Sequence, residues 1–139
     1  MQSVDEIVED FNAVGVNDRL TLLLEYSEAL PELPARYKDH PDLLERVEEC
    51  QSPIFLFVEV DDAKLVHLFF TAPAESPTTR GFASILHSAL DGHSVAEVLA
   101  VDDDFPSRIG LSAAVSPLRM RGMRGMLARI KRQVAEKSA

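Results

Sequence analysis

The chain has a single cysteine, Cys50, in the stretch Glu49-Cys50-Gln51-Ser52-Pro53. The most hydrophobic run of the sequence, Ile54-Phe55-Leu56-Phe57-Val58-Glu59-Val60, follows at once. Pro53 has no N–H and disfavours helical geometry at Ser52, which predicts a loop at Cys50 leading into a strand. A lone thiol on a loop is a candidate for sulfur chemistry, with the thiolate as nucleophile. The other use of such a residue is packing, because free cysteine is among the most buried residue types. Position alone leaves both uses open.

Other reactive types are sparse. His40, His67, His87 and His93 stand far from Cys50 in sequence, so no local base is offered for a cysteine hydrolase. His87 and His93 have no partners at metal-binding spacing, and one cysteine supports neither an internal disulfide nor a CxxC zinc site. Asp102-Asp103-Asp104 has no EF-hand loop around it and reads as a solvated charge run. Arg119 stands four residues before Met123, which puts it at the head of an apolar helical stripe. A guanidinium there needs a partner or a cleft to offset its desolvation.

The elements that must position these residues follow from periodicity. Val4, Ile7, Val8, Phe11 and Val14 predict a first helix behind a Ser3 cap, ending near Gly15. A second, capped by Asn17 or Asp18, carries Leu20, Leu23, Leu24, Ser27 and Leu30 on one face and stops at Pro31. Residues 31–40 read as irregular, and Pro41 to Glu45 as a short helical turn. Residues 54–60 and 65–71 predict an antiparallel hairpin turning through Asp61 to Lys64. Its first strand has Ile54, Leu56, Val58 and Val60 on one face and Phe55 and Phe57 on the other, so helices should cover part of each face. Phe82, Ile85, Leu86, Ala89 and Leu90 mark a helix stopped by Asp91-Gly92, and Ser94 caps a short one. Ser116-Pro117 starts the last helix, with Met123, Met126, Leu127, Ile130 and Val134 inward. Gly122 and Gly125 each cost it roughly 1 kcal/mol against Ala, which predicts close approach of another backbone.

With 139 residues, 46% of them hydrophobic, the chain suits one domain, 1–139, with a real core. A net charge of -9 argues against binding nucleic acid or an anionic membrane surface. No apolar run is long enough to span a bilayer, and the first ten residues are acidic, unlike a signal peptide. A reduced thiol fits the cytoplasm. The basic last helix, in so acidic a chain, reads as solvated or acid-paired.

Several ordered motifs resemble the SufE family of sulfur-acceptor proteins, from about Leu20 to the C-terminus. They are Cys50-Gln51-Ser52 entering an apolar strand; Leu30-Pro31-Glu32-Leu33 upstream; Glu75 to Gly81, an acidic residue and polar turn before a Gly-led helix; and Leu111 through Ser116-Pro117-Leu118-Arg119, then Gly122 and Met126. The resemblance implies an α+β, SufE/IscU-like fold: a small antiparallel β-sheet flanked by α-helices, with a third strand that pattern does not place. It implies that Cys50 takes sulfane sulfur from a PLP-dependent cysteine desulfurase of the SufS or CsdA type, which it activates. The sulfur then passes to a downstream acceptor or iron–sulfur scaffold. The PLP belongs to the desulfurase, so this chain needs no cofactor and is not an independent enzyme. The family's site arginine maps onto Arg119 and its acidic residue onto Glu75. Two positions depart from the family pattern: Glu49 stands where Gly is common, and Glu75 where Asp is frequent. Ile54, Phe55 and Phe57 would shield a persulfide, and Arg119 would supply positive charge. The competing readings are an iron–sulfur scaffold, an interaction module with a structural cysteine, and a thiol hydrolase.

Overall fold

Ser3 opens the first helix as expected: its Oγ accepts from the Glu6 N–H at 3.1 Å. The structure is a computed structural model that describes residues 3–139, so Met1 and Gln2 of the expected 1–139 domain lie outside the described residues. Helix α1 (Val4–Asn12) buries Ile7 and Phe11. Helix α2 (Val16–Ala29) starts before the expected Asn17 or Asp18 cap, with Gly15 as N-cap. The Arg19 side chain accounts for the early start. It donates to the carbonyls of Phe11, Val14 and Gly110 at 2.9–3.1 Å and locks the turn between the helices. Leu23, Ser27 and Leu30 are buried along the expected face, but Leu24 is exposed. One residue beyond Leu23, it is rotated about 100° around the helix.

The segment expected to be irregular contains a short helix, α3 (Ala35–Lys38). Its Tyr37 ring packs on Phe57 and Phe69 at centroid distances of 4.9 and 4.8 Å. The expected turn at Pro41 is a 3-10 turn, Pro41–Leu43, and Glu45 falls in strand β1 (Glu45–Arg46). This is the third strand that pattern could not place; two residues are too few to show a period. Strands β2 (Phe55–Val60) and β3 (Val66–Thr71) form the hairpin, and the antiparallel order is β1-β2-β3. The register pairs Leu56 with Phe70, Val58 with Leu68 and Arg46 with Phe55. Asp61 ties the turn by accepting from the N–H groups of Ala63 and Leu65.

Alternation sends Leu56, Val58, Val66, Leu68 and Phe70 inward. Helices α4 (Pro77–Leu90) and α7 (Pro117–Ser138) cover that face. Tyr37 covers part of the other, as the two-sided apolar pattern requires. Because β1 spans only Phe55 and Leu56, the edge of β2 beyond it must be satisfied otherwise. Gln133 accepts from the Val58 N–H at 3.0 Å, and Lys137 donates to the Val58 carbonyl at 2.6 Å. Helix α5 (Val95–Leu99) carries a full capping box between Ser94 and Glu97, and α6 (Phe105–Arg108) leads to the final helix.

Helices α2 and α4 meet at Gly81, where an added Cβ would lie 2.6 Å from the Leu23 carbonyl oxygen. Gly81→Ala gains helix propensity, but a backbone oxygen cannot step aside. The substitution is expected to lower unfolding free energy by about 1–3 kcal/mol, the usual cost of overpacking. Urea unfolding measures this.

Candidate functional site

Cys50 sits on the loop between β1 and β2, as its neighbours predict. Fully buried Val47 and Ile54 pin the two ends of that loop. Val47 N–H donates to the Ile54 carbonyl at 3.0 Å, and Cys50 N–H to the Val47 carbonyl at 3.1 Å. The loop folds the thiol inward, so that Cys50 is 8% exposed. Its Sγ rests on Gly122 of α7, where a Cβ would come within 2.8 Å of it. Glu49 rests in the same way on Gly125, where a Cβ would lie 2.7 Å from Cδ. The two glycines do mark a close approach, chiefly of these side chains and not of a neighbouring backbone.

A cleft of about 50 Å³ opens beside the thiol, lined by Glu49, Gln51, Ser52, Thr79, Leu118 and Arg119 together with Cys50 and Gly122. Small-molecule sites occupy roughly 300 Å³ or more. This one has room for little beyond a terminal sulfur atom. Ser52 Oγ lies 2.7 Å from Ser76 Oγ, joining the loop to the start of α4. Burial pushes the Cys50 thiol up to about 11; Glu49 adds to the rise, and Arg129 and Arg46 oppose it without prevailing. The group is therefore a protonated thiol near neutral pH while the loop is closed.

Arg119 lines the cleft, but its position corrects the expected one. It is exposed, and the inward stripe begins at Met120, continuing through Met123, Leu127, Ile130 and Val134. The 3-4-3-4 spacing of that stripe leaves Arg119 three residues above Gly122, on the side facing the cysteine. Among the described residues, no hydrogen bond or ion pair engages its guanidinium. It is also not among the charges that shift the thiol. Glu75 is exposed, lies outside the cleft lining and makes no ion pair with Arg119; the neighbouring Ser76 makes the contact with the loop instead. Ile54, Phe55 and Phe57 do not line the cleft either. Strand alternation points Ile54 into the core and Phe57 under Tyr37, and the shielding falls to α7 and Thr79. No histidine lines the cleft: His67 pairs with Asp61, His87 with Asp91 and His93 with Glu97.

Sequence reasoning missed Arg129 and Glu45. Arg129 Nη2 lies 2.5 Å from Glu49, and Nη1 lies 3.4 Å from Glu45 in β1. Glu45 also bonds Arg132 and Gln133. Burial works against its carboxylate, but these hydrogen bonds outweigh it and hold the group below its ordinary range. The unusual Glu49 was the one signal that an extra cation would be needed here.

A family model described as the Fe-S metabolism associated domain, SufE, matches residues 5–134. The chain belongs to the SufE family. A SufE-like protein of Mycobacterium tuberculosis is 53% identical over 131 residues, covering 94% of this chain and 90% of that one. SufE-like protein 1, chloroplastic/mitochondrial, of Arabidopsis thaliana is 29% identical over 125 residues, 89% of this chain and 32% of the plant protein. The solution structure of a hypothetical protein from Thermus thermophilus superposes with a TM-score of 0.84 at 35% identity, covering 97% of this chain and 95% of that one. The α+β SufE fold and the connection to iron–sulfur metabolism follow. No described helix is long and apolar enough to cross a membrane.

The closed thiol has a direct kinetic signature. Iodoacetamide should modify Cys50 of the free protein at a rate that climbs about tenfold per pH unit above neutrality, following the thiolate fraction. The profile should bend near 11. A bend near the ordinary cysteine value would mean that the thiol is exposed. Because the folded value is raised, any stability the thiol contributes is intact below the unfolded value. It is lost as pH rises through the folded one.

Proposed function

We propose that this protein is the sulfur acceptor and activator of a PLP-dependent cysteine desulfurase, with Cys50 as the acceptor atom. The observation that carries this reading is a sole thiol held on a pinned loop, in a cleft with room for one more sulfur. Cys50 loses its proton and attacks the outer sulfur of the partner's persulfide. The S–S bond of that persulfide breaks, a new one forms at Cys50, and the partner's cysteine leaves as thiolate. The exchange is balanced without an external oxidant or reductant. A second thiolate, on a downstream acceptor or iron–sulfur scaffold, then removes the sulfur by the same step.

Closure of the loop protects a persulfide from stray thiols, and delivery requires the loop to swing outward. Swinging out removes the burial that raises the thiol, so docking increases its thiolate fraction and couples opening to activation. Arg119, free at the rim, is placed to meet the opened loop or the docked partner; Glu75 is the weaker candidate, being off the cleft. The whole chain acts as one SufE-like domain, in the cytoplasm, where a lone thiol stays reduced.

The rival readings have less support. A scaffold needs several cluster ligands, and this chain has one cysteine and, among the described residues, no group of three or more ligating side chains. A thiol hydrolase needs a base beside Cys50, and none of the cleft-lining side chains is a histidine. An inert structural cysteine would be modified no faster when a desulfurase is added.

Cys50→Ser should fold with an unchanged thermal midpoint yet leave desulfurase sulfide release at its unstimulated rate in the presence of reductant. Stimulation equal to the unmodified protein would remove the transfer role. Mass spectrometry after incubation with desulfurase and cysteine should find added sulfur on Cys50 alone.

Arg119→Ala should depress sulfur transfer about tenfold or more, the equivalent of one charge-assisted hydrogen bond, with little change in thermal midpoint. Arg119→Lys keeps the charge but loses the planar fork. Its transfer rate separates the two: recovery means charge suffices, and continued loss means the fork is used. Full activity in the Ala variant would take Arg119 out of the site.

A further inference from the structure

The Cys50 loop closes against α7, and one side chain of that helix grips it. Arg129 is half-buried, with 19% of its side chain exposed. Its guanidinium reaches two carboxylates on different elements, Glu49 on the loop at 2.5 Å and Glu45 on β1 at 3.4 Å. The reach leaves its Nε buried without a partner, an orientation that sacrifices one hydrogen bond. The Glu49 carboxylate fits there only because Gly125 has no Cβ; one would lie 2.8 Å from Oε2.

We propose that Arg129 is a positioning residue that latches the Cys50 loop shut through Glu49. The two carboxylates are not equivalent. Glu45 keeps hydrogen bonds from Arg132 and Gln133 when Arg129 lets go. Among the described residues, Arg129 is the sole side-chain partner of Glu49. Breaking that ion pair frees the loop from α7 at Glu49 while β1 stays fixed to the helix, and the Ser52–Ser76 contact then holds only the far end of the loop, on α4. The latch gives the outward swing of the acceptor cysteine a defined holding contact, and in that sense it rests on the sulfur-acceptor reading. Its test does not, because it uses a small alkylating agent and no desulfurase.

Charge and latch predict different signs. The charges that face Cys50 are Glu49 on its own loop, Arg46 from β1, and Arg129 and, at the rim, Arg119 from α7; α4 contributes the uncharged Thr79. If Arg129 acts only through its charge, Arg129→Met raises the thiol and slows alkylation, whereas Glu49→Ala does the reverse. If Arg129 is a latch, both variants open the loop, lose the burial, and react faster.

The experiment measures iodoacetamide modification of the full chain against pH, with hydrogen exchange of the amides of residues 48–52. Both variants should react at least about tenfold faster than the unmodified protein near pH 8, because each unit the bend falls gives about tenfold more thiolate. The loop amides, including Cys50 N–H, should exchange faster in both, and Arg129→Lys should stay slow. Opposite shifts in the two variants, or unchanged loop exchange, would overturn the latch. If Arg129→Met fails to fold, Glu49→Ala decides alone: faster loop exchange supports the latch and unchanged exchange overturns it. Failure of the acceptor reading would show separately, as desulfurase stimulation by Cys50→Ser.

Discussion

The closed state of this protein depends on a fit between a loop and two glycines on one helix. Gly122 receives the sulfur of Cys50, and Gly125 receives the carboxylate of Glu49. In a helix interior each glycine costs roughly 1 kcal/mol against alanine, and α7 carries both within one turn. The rest of the helix offsets that cost. Ser116 accepts from the Arg119 N–H at its start, Pro117 holds its first position, and the stripe from Met120 to Val134 is buried throughout. The helix tolerates two weak positions because its length and packing fix it elsewhere.

Charge is distributed along α7 to match. The chain is acidic overall, and the C-terminal half of the helix pairs its cations internally. Arg129 and Arg132 hold Glu45 and Glu49, Lys131 holds Asp103, and Lys137 caps the edge of β2. Toward the N-terminal end the pattern changes. Among the described residues, Arg124 bonds only the Ser107 hydroxyl, and Arg119 and Arg121 are exposed with no side-chain partner. The helix is thus acid-paired where it builds the structure and solvated where it borders the cysteine cleft. Both halves of the sequence expectation for a basic helix hold, each in its own segment.

What could be read from the sequence was what local rules govern. Proline before an apolar run is enough to place Cys50 on a loop. Period two gives the hairpin, and period 3.6 gives α1, α2, α4 and α7. Faces were less legible than elements: Leu24 and Arg119 each lie one residue, about 100°, from a buried neighbour, and the pattern tolerated either phase. Strand β1 was not legible because two residues carry no period. Short α3 exists because Tyr37 finds Phe57 and Phe69, which are contributed by the later hairpin.

By itself, then, the sequence determined the order of the hairpin and the long helices, the loop position of the only thiol, the acidic balance of the chain and the motifs of its family. The tertiary structure decided how accessible that thiol is and how readily it ionises. Next to Glu49 in sequence, the cysteine could have been an exposed nucleophile or a packed side chain. Folding the loop onto Gly122 buries it and pushes it up to about 11. The residue that holds Glu49, Arg129, lies 80 positions away. No local spacing rule links such a pair, because their approach is set by how α7 packs across β2, and that depends on the buried stripe of the helix as a whole.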